Sequence, residues 1–506
     1  MSKLEESMKN KLFLNTISSF LLQIITLICG FILPRLILEA YGSETNGLVQ
    51  SVAQFLGVIS FLELGVGQVI QSALYRPLTQ KDTVVISSVV VSGEKFFRRI
   101  AHILAVYVVI LIFIYPLISN QNFGWFFTAT LIISMCIGSF AQYYFGIIDK
   151  ILLNADQSGY IQYSTQIIAL ILNTVLSVVI VKAGASIQFV KLTSSLVFLT
   201  VPVLLRLYIN KHYNIDRKIK YEKEPITQKW NGIAQHISAF ILNGTDTIVL
   251  TVFSTLSNVS IYSVYNMIAL GMHQLYQAAT NGLHSYIGHL WASQDLIKLN
   301  KVFAYVEMGL HFSTVFLFSC TGILIVPFVS VYTSGISDTN YIQPLFGVLM
   351  VIAHASQCLK TTYNMVILAG GHYKQVQSCH IVSAILNAAI SVVGVYFYGL
   401  IGVAIGTVIS MCYQLVWMAI YDSKNLIKWP IRNFIKQITV DIVTVFIIVA
   451  VTSWIELGDV NYFSWLFMAV KVGTIALLVT SGMAFVFYKK QIFDAYKWLL
   501  KKKRDF

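Results

Sequence analysis

The chain has 506 residues, of which 57% are hydrophobic and only 11% are charged. An average soluble domain carries about 25% charged residues, so this composition excludes an ordinary water-soluble protein. The formal charge of +13 would suit a nucleic-acid partner. However, the basic residues lie in alternate loops between apolar segments, which is the pattern of membrane orientation and not of nucleic-acid binding.

Apolar runs of roughly 20 residues, enough to cross about 30 Å of hydrocarbon, recur along the chain. They predict fourteen membrane-spanning helices, numbered in chain order. The predicted spans are 12–37, 46–73, 98–118, 123–148, 160–182, 187–209, 230–254, 259–288, 303–331, 342–368, 375–397, 399–421, 433–455 and 463–487. The apolar segment 84–91 is too short to span and is expected to lie at the cytoplasmic interface.

The distribution of positive charge predicts the orientation. Thirty of the 35 Lys and Arg residues lie at the termini or in one alternate set of loops, and only Lys182 and Lys191 fall in the opposite set. The remaining three, Arg35, Lys360 and Lys471, fall inside spans. This bias predicts an inner-membrane protein with both termini in the cytoplasm.

The predicted fold class is an all-α polytopic membrane protein with about fourteen transmembrane helices. We expect an N-terminal lobe at 1–210, a cytoplasmic linker at 211–229, a C-terminal lobe at 230–421, and two further spans with a basic tail at 422–506. A faint internal repeat across the linker favours two pseudo-symmetric lobes around a central hydrated cavity.

Polar residues form stripes at helical spacing inside four spans. Span two carries Gln50, Gln54, Gln68 and Ser72. Span seven carries Asn231, Gln235, Ser238 and Asp246. Span eight carries Tyr262, Asn266, His273, Gln277, Thr280 and His284. Span ten carries Gln343, His354, Gln357, Lys360, Thr361 and Asn364. Such stripes line a wet cavity or form interhelical hydrogen bonds.

Charges inside spans cost free energy and usually serve a function. Arg35 either reaches the outer surface or faces the cavity, and Lys360 lies deeper, so a functional role is favoured for it. Asp246 is the candidate for proton or cation coupling, with a structural hydrogen bond as the alternative. Glu63 points away from the stripe of its span, and Glu307 and Asp441 are expected to reach water at cytoplasmic helix ends. The cavity candidates for substrate binding are Arg35, Lys360, His273, Gln277, His284, Gln357, Asn364 and Gln54.

The sequence lacks the short motifs that mark metal sites, nucleotide-binding sites and hydrolase active sites. The six cysteines all fall inside apolar spans and form no CxxC or Cys/His cluster, which predicts packing roles and no metal site. No P-loop, HExxH or GxSxG motif is present. The expectation is therefore a protein that is not an enzyme and carries no cofactor.

Several short motifs resemble those of the Wzx-type polysaccharide flippases, within the multidrug/oligosaccharidyl-lipid/polysaccharide exporter superfamily. The likeness covers most of the chain and is densest before span five. The motifs that carry it are Pro34–Leu36, Tyr41–Leu48, Glu63–Gly67, Ser72–Leu78, Leu152–Gln157, Thr245–Asp246, Tyr363–Asn364 and Ala369–Lys374.

The resemblance implies a bacterial flippase whose substrate is an oligosaccharide repeat unit on undecaprenyl pyrophosphate. It would act by alternating access, coupled to H⁺ or Na⁺, and work beside a polymerase or other assembly proteins. The pyrophosphate needs cations in a wet cavity, which Arg35 and Lys360 would supply.

Two other functions fit parts of the pattern. A multidrug-type antiporter would share the fold, but would be expected to place carboxylates and not Arg35 and Lys360 in its cavity. A membrane assembly protein that recruits partners without transport would not need polar stripes inside its spans.

Overall fold

Every regular element in the part of the chain that the structure describes is a helix. The structure is a computed structural model and describes residues 3–62, 66–119, 123–221, 224–226, 244–427 and 429–504. The chain divides into two units, one formed by Met1–Phe240 with Ser254–Ser260 and the other by Ile241–Phe253 with Ile261–Phe506.

The described part of the first unit contains seven helices. They are α1 (Lys3–Gly57), α2 (Val66–Gln80), α3 (Thr83–Ile118), α4 (Trp125–Ala141), α5 (Ile147–Ala155), α6 (Gly159–Lys182) and α7 (Ile187–His212). Helix α1 consists of two helical segments joined by a kink at Gly42, whose φ is 82°. A short 3₁₀ turn, Val58–Leu62, follows α1. One π-helical turn, Gln142–Gly146, joins α4 to α5.

The second unit contains the remaining helices, apart from the first turn of α9. They are α8 (Gly244–Phe253), α9 (Leu256–Ala292), α10 (Leu296–Tyr332), α11 (Pro344–Ala369), α12 (Tyr373–Tyr398), α13 (Leu400–Asn425), α14 (Ile431–Thr452) and α15 (Tyr462–Arg504). Glycine at position 399 ends α12 and begins α13 with a positive φ of 55°, which side chains with a Cβ rarely adopt.

Eleven helices in the described residues are long and apolar enough to cross a membrane. This number is three fewer than the fourteen predicted spans, and three segments account for the difference. Helix α1 covers span one and the start of span two, α9 has the length but carries a polar stripe, and α8 is described only over the last part of span seven. The multi-pass prediction is therefore confirmed.

The structure corrects one detail of the prediction. Span two is not one α-helix: α1 ends at Gly57, a 3₁₀ turn follows over Val58–Leu62, and α2 begins at Val66. The apolar segment 84–91 forms the first turns of α3, a single helix of 36 residues. Asp82 caps this helix by accepting from the backbone N–H groups of Val84 and Val85.

A network of charged residues holds α3, α5 and α7 together in the first unit. Arg206 of α7 contacts Glu94 of α3 at 3.0 Å and Asp149 of α5 at 2.6 Å. Arg217, in the segment after α7, also pairs with Glu94. Asp149 is fully buried, and such a charge is tolerated only when it is paired and hydrogen-bonded. The network therefore fixes the segment that follows α7 against α3, α5 and α7.

Candidate functional site

A cavity of about 390 Å³ lies inside the second unit. Helices α9 and α11 form most of its wall, while α8 and α13 close it. The residues around it are Asp246, Tyr262, Asn266, Leu270, His273, Gln274, Gln277, Met350, Ala353, His354, Gln357, Thr407 and Met411. Most of the polar residues come from the stripes predicted for spans eight and ten, so these stripes meet at one cavity.

Asp246 is the acidic residue of this cavity and is 2% exposed. Its carboxylate accepts from the Thr407 hydroxyl at 2.7 Å and from the Tyr262 hydroxyl at 3.1 Å. The Asn387 amide also donates to it at 3.4 Å. All three donors are neutral, and no Lys or Arg ion pair with Asp246 is found in the described part of the chain.

Close packing of α12 on α13 brings Asn387 and Thr407 together. A Cβ on Gly402 would lie 2.0 Å from the carbonyl oxygen of Gly394, and a Cβ on Gly406 would lie 2.4 Å from Ser391 Oγ. The two backbones touch because these residues lack side chains. This approach lets the Asn387 amide also donate to the Thr407 hydroxyl at 3.1 Å.

Oxygen atoms are concentrated beside Asp246. Asn387 Oδ1 is buried without a hydrogen-bond partner. The Val403 carbonyl lies 3.2 Å from the Thr407 hydroxyl and 3.3 Å from the Ser391 hydroxyl. A buried carboxylate among neutral oxygen groups is suited to a proton or a small hard cation, and its three hydrogen bonds also fit a structural role.

Two histidines lie at the other end of the same cavity. Their ring centroids are 6.0 Å apart, and His354 Nε2 lies 3.2 Å from the Asn266 amide oxygen. His354 Nδ1 and His273 Nε2 have no partner. Both nitrogens are buried, and His354 is a residue of the cavity lining that the sequence placed only within a stripe.

Lys360 does not line this cavity. Its ammonium group donates to the Gln414 side-chain oxygen, and the Gln414 amide donates to Ser383 at 2.8 Å. Gln414 and Ser383 are fully buried. The lysine is thus held by a neutral amide of α13, and no ion pair with an acidic residue is found for it in the described part of the chain.

The remaining candidates occupy separate places. His284 and Asn364 are half-buried in the second unit, outside the lining of the cavity. Gln54 is half-buried on α1, and Arg35 lies 3.9 Å from Glu39 one turn along the same helix. Four further polar residues were predicted inside spans two and seven but lie outside the described residues: Glu63, Asn231, Gln235 and Ser238.

A buried network of acidic residues and a histidine was not expected from the sequence. Glu307 and Asp441 are 4% and 5% exposed, so the expectation that they reach water is wrong. His311 contacts Asp441 at 2.6 Å and Tyr363 at 3.2 Å, and the Tyr363 hydroxyl donates to Glu307 at 2.9 Å. This network ties α10 to α11 and α14.

Sequence comparison finds no matching family model and no matching curated protein. Solved structures do match. The lipid II flippase MurJ, in its inward closed conformation, shares 15% identity, with 95% of this chain and 100% of that chain covered and a TM-score of 0.74.

Two MATE structures also match. A variant of the Vibrio cholerae MATE transporter VcmN shares 14% identity over 84% of this chain and 99% of that chain, with a TM-score of 0.55. A multidrug resistance MATE family transporter of the MOP superfamily, in an outward-facing conformation, shares 14% identity over 79% and 94%, with a TM-score of 0.50. The chain therefore has the transporter fold that MurJ and the MATE proteins share.

Proposed function

We propose that the chain is a Wzx-type flippase of the bacterial cytoplasmic (inner) membrane. It moves oligosaccharide repeat units on undecaprenyl pyrophosphate from the cytoplasmic to the outer leaflet, by alternating access between two lobes, with both termini in the cytoplasm. The observation that carries the proposal is the match over the full length of a lipid II flippase. The Wzx-like motifs add the oligosaccharide, and a polymerase would act on the product.

The substrate has two parts that need different contacts. Its pyrophosphate is an anion, for which Arg35 and Lys360 supply charge, and Lys360 has only neutral partners that would leave its charge available. Its sugars offer hydroxyl groups, for which His273, Gln277, Gln357 and the more distant Gln54, His284 and Asn364 supply amide and imidazole groups. The polyprenyl tail remains in lipid.

Coupling to an ion gradient is assigned to Asp246. Its carboxylate is buried, lines the cavity and has neutral partners only. Loading with H⁺ or Na⁺ would neutralise this charge and so change the relative stability of conformations that expose or bury it. No further cofactor is needed for this mechanism.

A deletion strain tests the transport reaction. Loss of the flippase should leave undecaprenyl-linked repeat units on the cytoplasmic leaflet and remove the surface polysaccharide. Extraction of the lipid-linked intermediates, with an assay of leaflet sidedness, measures both effects. Normal surface glycan and no accumulation, in a strain without a paralogue, would show the proposal to be wrong.

Complementation of that strain tests the two cations. Arg35→Ala combined with Lys360→Ala should reduce surface polysaccharide at least about tenfold at equal protein level, since each charge-assisted contact is worth roughly a factor of ten. Lys471→Ala is the matched control, because Lys471 is an exposed lysine on α15 whose ammonium lies over the Phe467 ring. Full polysaccharide in the double variant would remove both residues from the mechanism.

An ion-coupled multidrug antiporter is the second candidate. It is favoured by one observation, an acidic residue in a cavity whose lining contains no Lys or Arg, which would suit an organic cation. In that case, deletion would change sensitivity to toxic cations and leave the polysaccharide intact.

A further inference from the structure

The buried acidic residues of the two units are neutralised in different ways. In the first unit, Arg206 pairs with both Glu94 and Asp149. A cavity of about 440 Å³ in that unit is lined by Lys150 and Lys191, and its described lining includes no acidic residue. The second unit buries three carboxyl groups near one another, and none of them forms an ion pair with Lys or Arg in the described part of the chain. Their charge must be balanced in another way.

One proton is shared along the hydrogen bonds that connect Glu307 to Asp441. His311 Nδ1 lies 2.6 Å from one oxygen of Asp441, and the Gln437 amide donates to the other at 3.2 Å. His311 Nε2 lies 3.2 Å from the Tyr363 hydroxyl, which lies 2.9 Å from Glu307 and has a single proton. Either Tyr363 donates to Glu307 and His311 carries two protons, or Glu307 is protonated and Tyr363 donates to His311. Both arrangements hold one proton more than a neutral histidine between two carboxylates.

Asp422 of α13 is the third carboxyl group. It is 1% exposed, and neither of its carboxyl oxygens has a hydrogen-bond partner among the described residues. It lies close enough to Glu307 and to Tyr363 to interact electrostatically with both, so its carboxyl group faces the same network. A buried carboxylate without a donor is far more costly than the neutral acid. Asp422 is therefore a second group of this network that is suited to hold a proton.

The other described groups that face the network bring no buried positive charge. The indole N–H of Trp429, which follows α13, donates to Glu307 at 3.0 Å. Tyr488 of α15 lies near Glu307 and Asp441, and its buried hydroxyl has no partner among the described residues. Lys436 of α14 is exposed, and its ammonium lies 4.6 Å from the centroid of the Tyr488 ring. Protons are therefore the positive charge left to balance the buried carboxyl groups.

We propose that Glu307, His311 and Asp422 form a proton-binding site of the second unit. Glu307 and His311 share one proton: the Glu307 carboxyl proton passes to the Tyr363 oxygen while the Tyr363 hydroxyl proton moves to His311 Nε2. Asp422 takes up a further proton on its own carboxyl group. None of these residues lines the cavity of Asp246. The site thus goes beyond the coupling assigned to Asp246 and does not depend on it.

Infrared difference spectroscopy of the full-length protein in lipid nanodiscs tests the site. The protein carries Asp246→Asn, so that this carboxyl group cannot contribute to the signal. A protonated carboxyl group has a C=O stretching band that a carboxylate lacks, and the band shifts in D₂O because the O–H proton exchanges. We expect this band at neutral pH, where exposed carboxyl groups are ionised. Its absence from the Asp246→Asn protein overturns the proposal without a further variant.

A conservative variant assigns the band to the network. Asp422→Asn, made in the same Asp246→Asn protein, keeps the shape of the side chain and should lose the band component of this residue. Asp459→Asn is the matched control, because Asp459 is exposed in the loop before α15, and it should leave the band unchanged. Equal bands in the two variants overturn the proposal.

The pH dependence of thermal unfolding tests the shared proton. Unfolding releases the protons that the folded network holds, so the unfolding temperature should fall as the pH rises above neutral. Each released proton changes the unfolding equilibrium about tenfold per pH unit. Glu307→Gln mimics the protonated carboxyl group but has no proton to release, so in the Asp246→Asn protein it should reduce the pH response by one proton.

The matched control for Glu307→Gln is Glu456→Gln, because Glu456 is exposed in the loop before α15. It should retain the full pH response. Equal pH responses in the two variants overturn the proposal. An unfolding temperature that follows the Na⁺ concentration at constant pH, and does not follow the pH, would assign the site to a metal cation and also overturn it.

Discussion

The cavities of the two units carry opposite chemistry. The cavity of the first unit has two lysines and no acidic residue, whereas that of the second has Asp246 and two histidines and no lysine or arginine. Both lie among membrane-spanning helices, where charge is costly. Two units built from similar helices therefore carry different side chains in their cavities: lysines line the first, and a carboxylate with two histidines lines the second.

The largest expected effect comes from the helix packing that builds the second cavity. Gly402→Ala places a Cβ 2.0 Å from a backbone oxygen of α12, so α12 and α13 must separate, and overpacking of this kind costs about 3 kcal/mol. Chemical unfolding of the purified protein measures this loss. Asn387 and Thr407 would move apart, and the ion dependence described next should be lost as well.

Gly138→Ala is the matched change in the first unit. Its Cβ would meet the Ser195 backbone of α7 at 3.4 Å, at the edge of ordinary contact. Alanine also favours a helix by roughly 1 kcal/mol over glycine, so the free energy of unfolding should change by less than about 1 kcal/mol. Equal losses in the two variants would mean that α12 and α13 are not packed as closely as the structure indicates.

Asp246→Asn tests whether the cavity of the second unit binds the coupling ion through this carboxylate. The amide keeps the shape of the side chain but has no charge to neutralise, so the variant should no longer respond to the coupling ion. The wild-type unfolding temperature should rise with NaCl above its value in KCl if Na⁺ binds, or vary with pH if H⁺ binds. The variant should lose that response, whichever ion is responsible.

A matched control for Asp246→Asn is Asp338→Asn, because Asp338 lies in the loop before α11 and outside the cavity. This control should retain the wild-type response to salt and pH. If Asp246→Asn also retains the response, Asp246 is a structural residue. The lysines of the first cavity would then be the remaining charged difference between the two linings.

The fold was largely predictable because membrane crossing imposes long apolar runs and a bias of positive charge. The break in span two was missed, since Val58–Leu62 is as apolar as the helix before it and only its backbone differs. Lys191 was misplaced for a related reason: charge counting assumes that a lysine near a helix end reaches water, whereas here it lines a cavity.

The site was predictable only in part. Helical spacing placed Asp246, His273, Gln277 and Gln357 in polar stripes, and all four line the cavity of the second unit, because residues on one helical face meet the same neighbour. Asn387 and Thr407 were missed, although Ser383, Asn387 and Ser391 repeat every four residues along α12 and gave a signal of the same kind. Their convergence on Asp246 depends on the close contact of α12 with α13, which no single helix reveals.

The smallest expected effect comes from one hydrogen bond of the second cavity. Thr407→Val removes the hydroxyl that donates to Asp246 at 2.7 Å and nearly preserves the volume of the side chain. A hydrogen bond to a charged group contributes about 1.5 kcal/mol or more, and a neutral one about 1. Because this donor stabilises the charged carboxylate, its loss should raise the apparent affinity for the coupling ion roughly five- to tenfold.

The control for this variant is Thr444→Val, since Thr444 is a fully buried threonine of α14 whose hydroxyl donates to the Val440 carbonyl of its own helix. It should leave the ion affinity unchanged. Titration of the unfolding temperature with the coupling ion distinguishes the two variants. An equal response in both would mean that the Thr407 hydroxyl is not part of the ion site, and the site would then comprise Asp246 with the Tyr262 and Asn387 side chains alone.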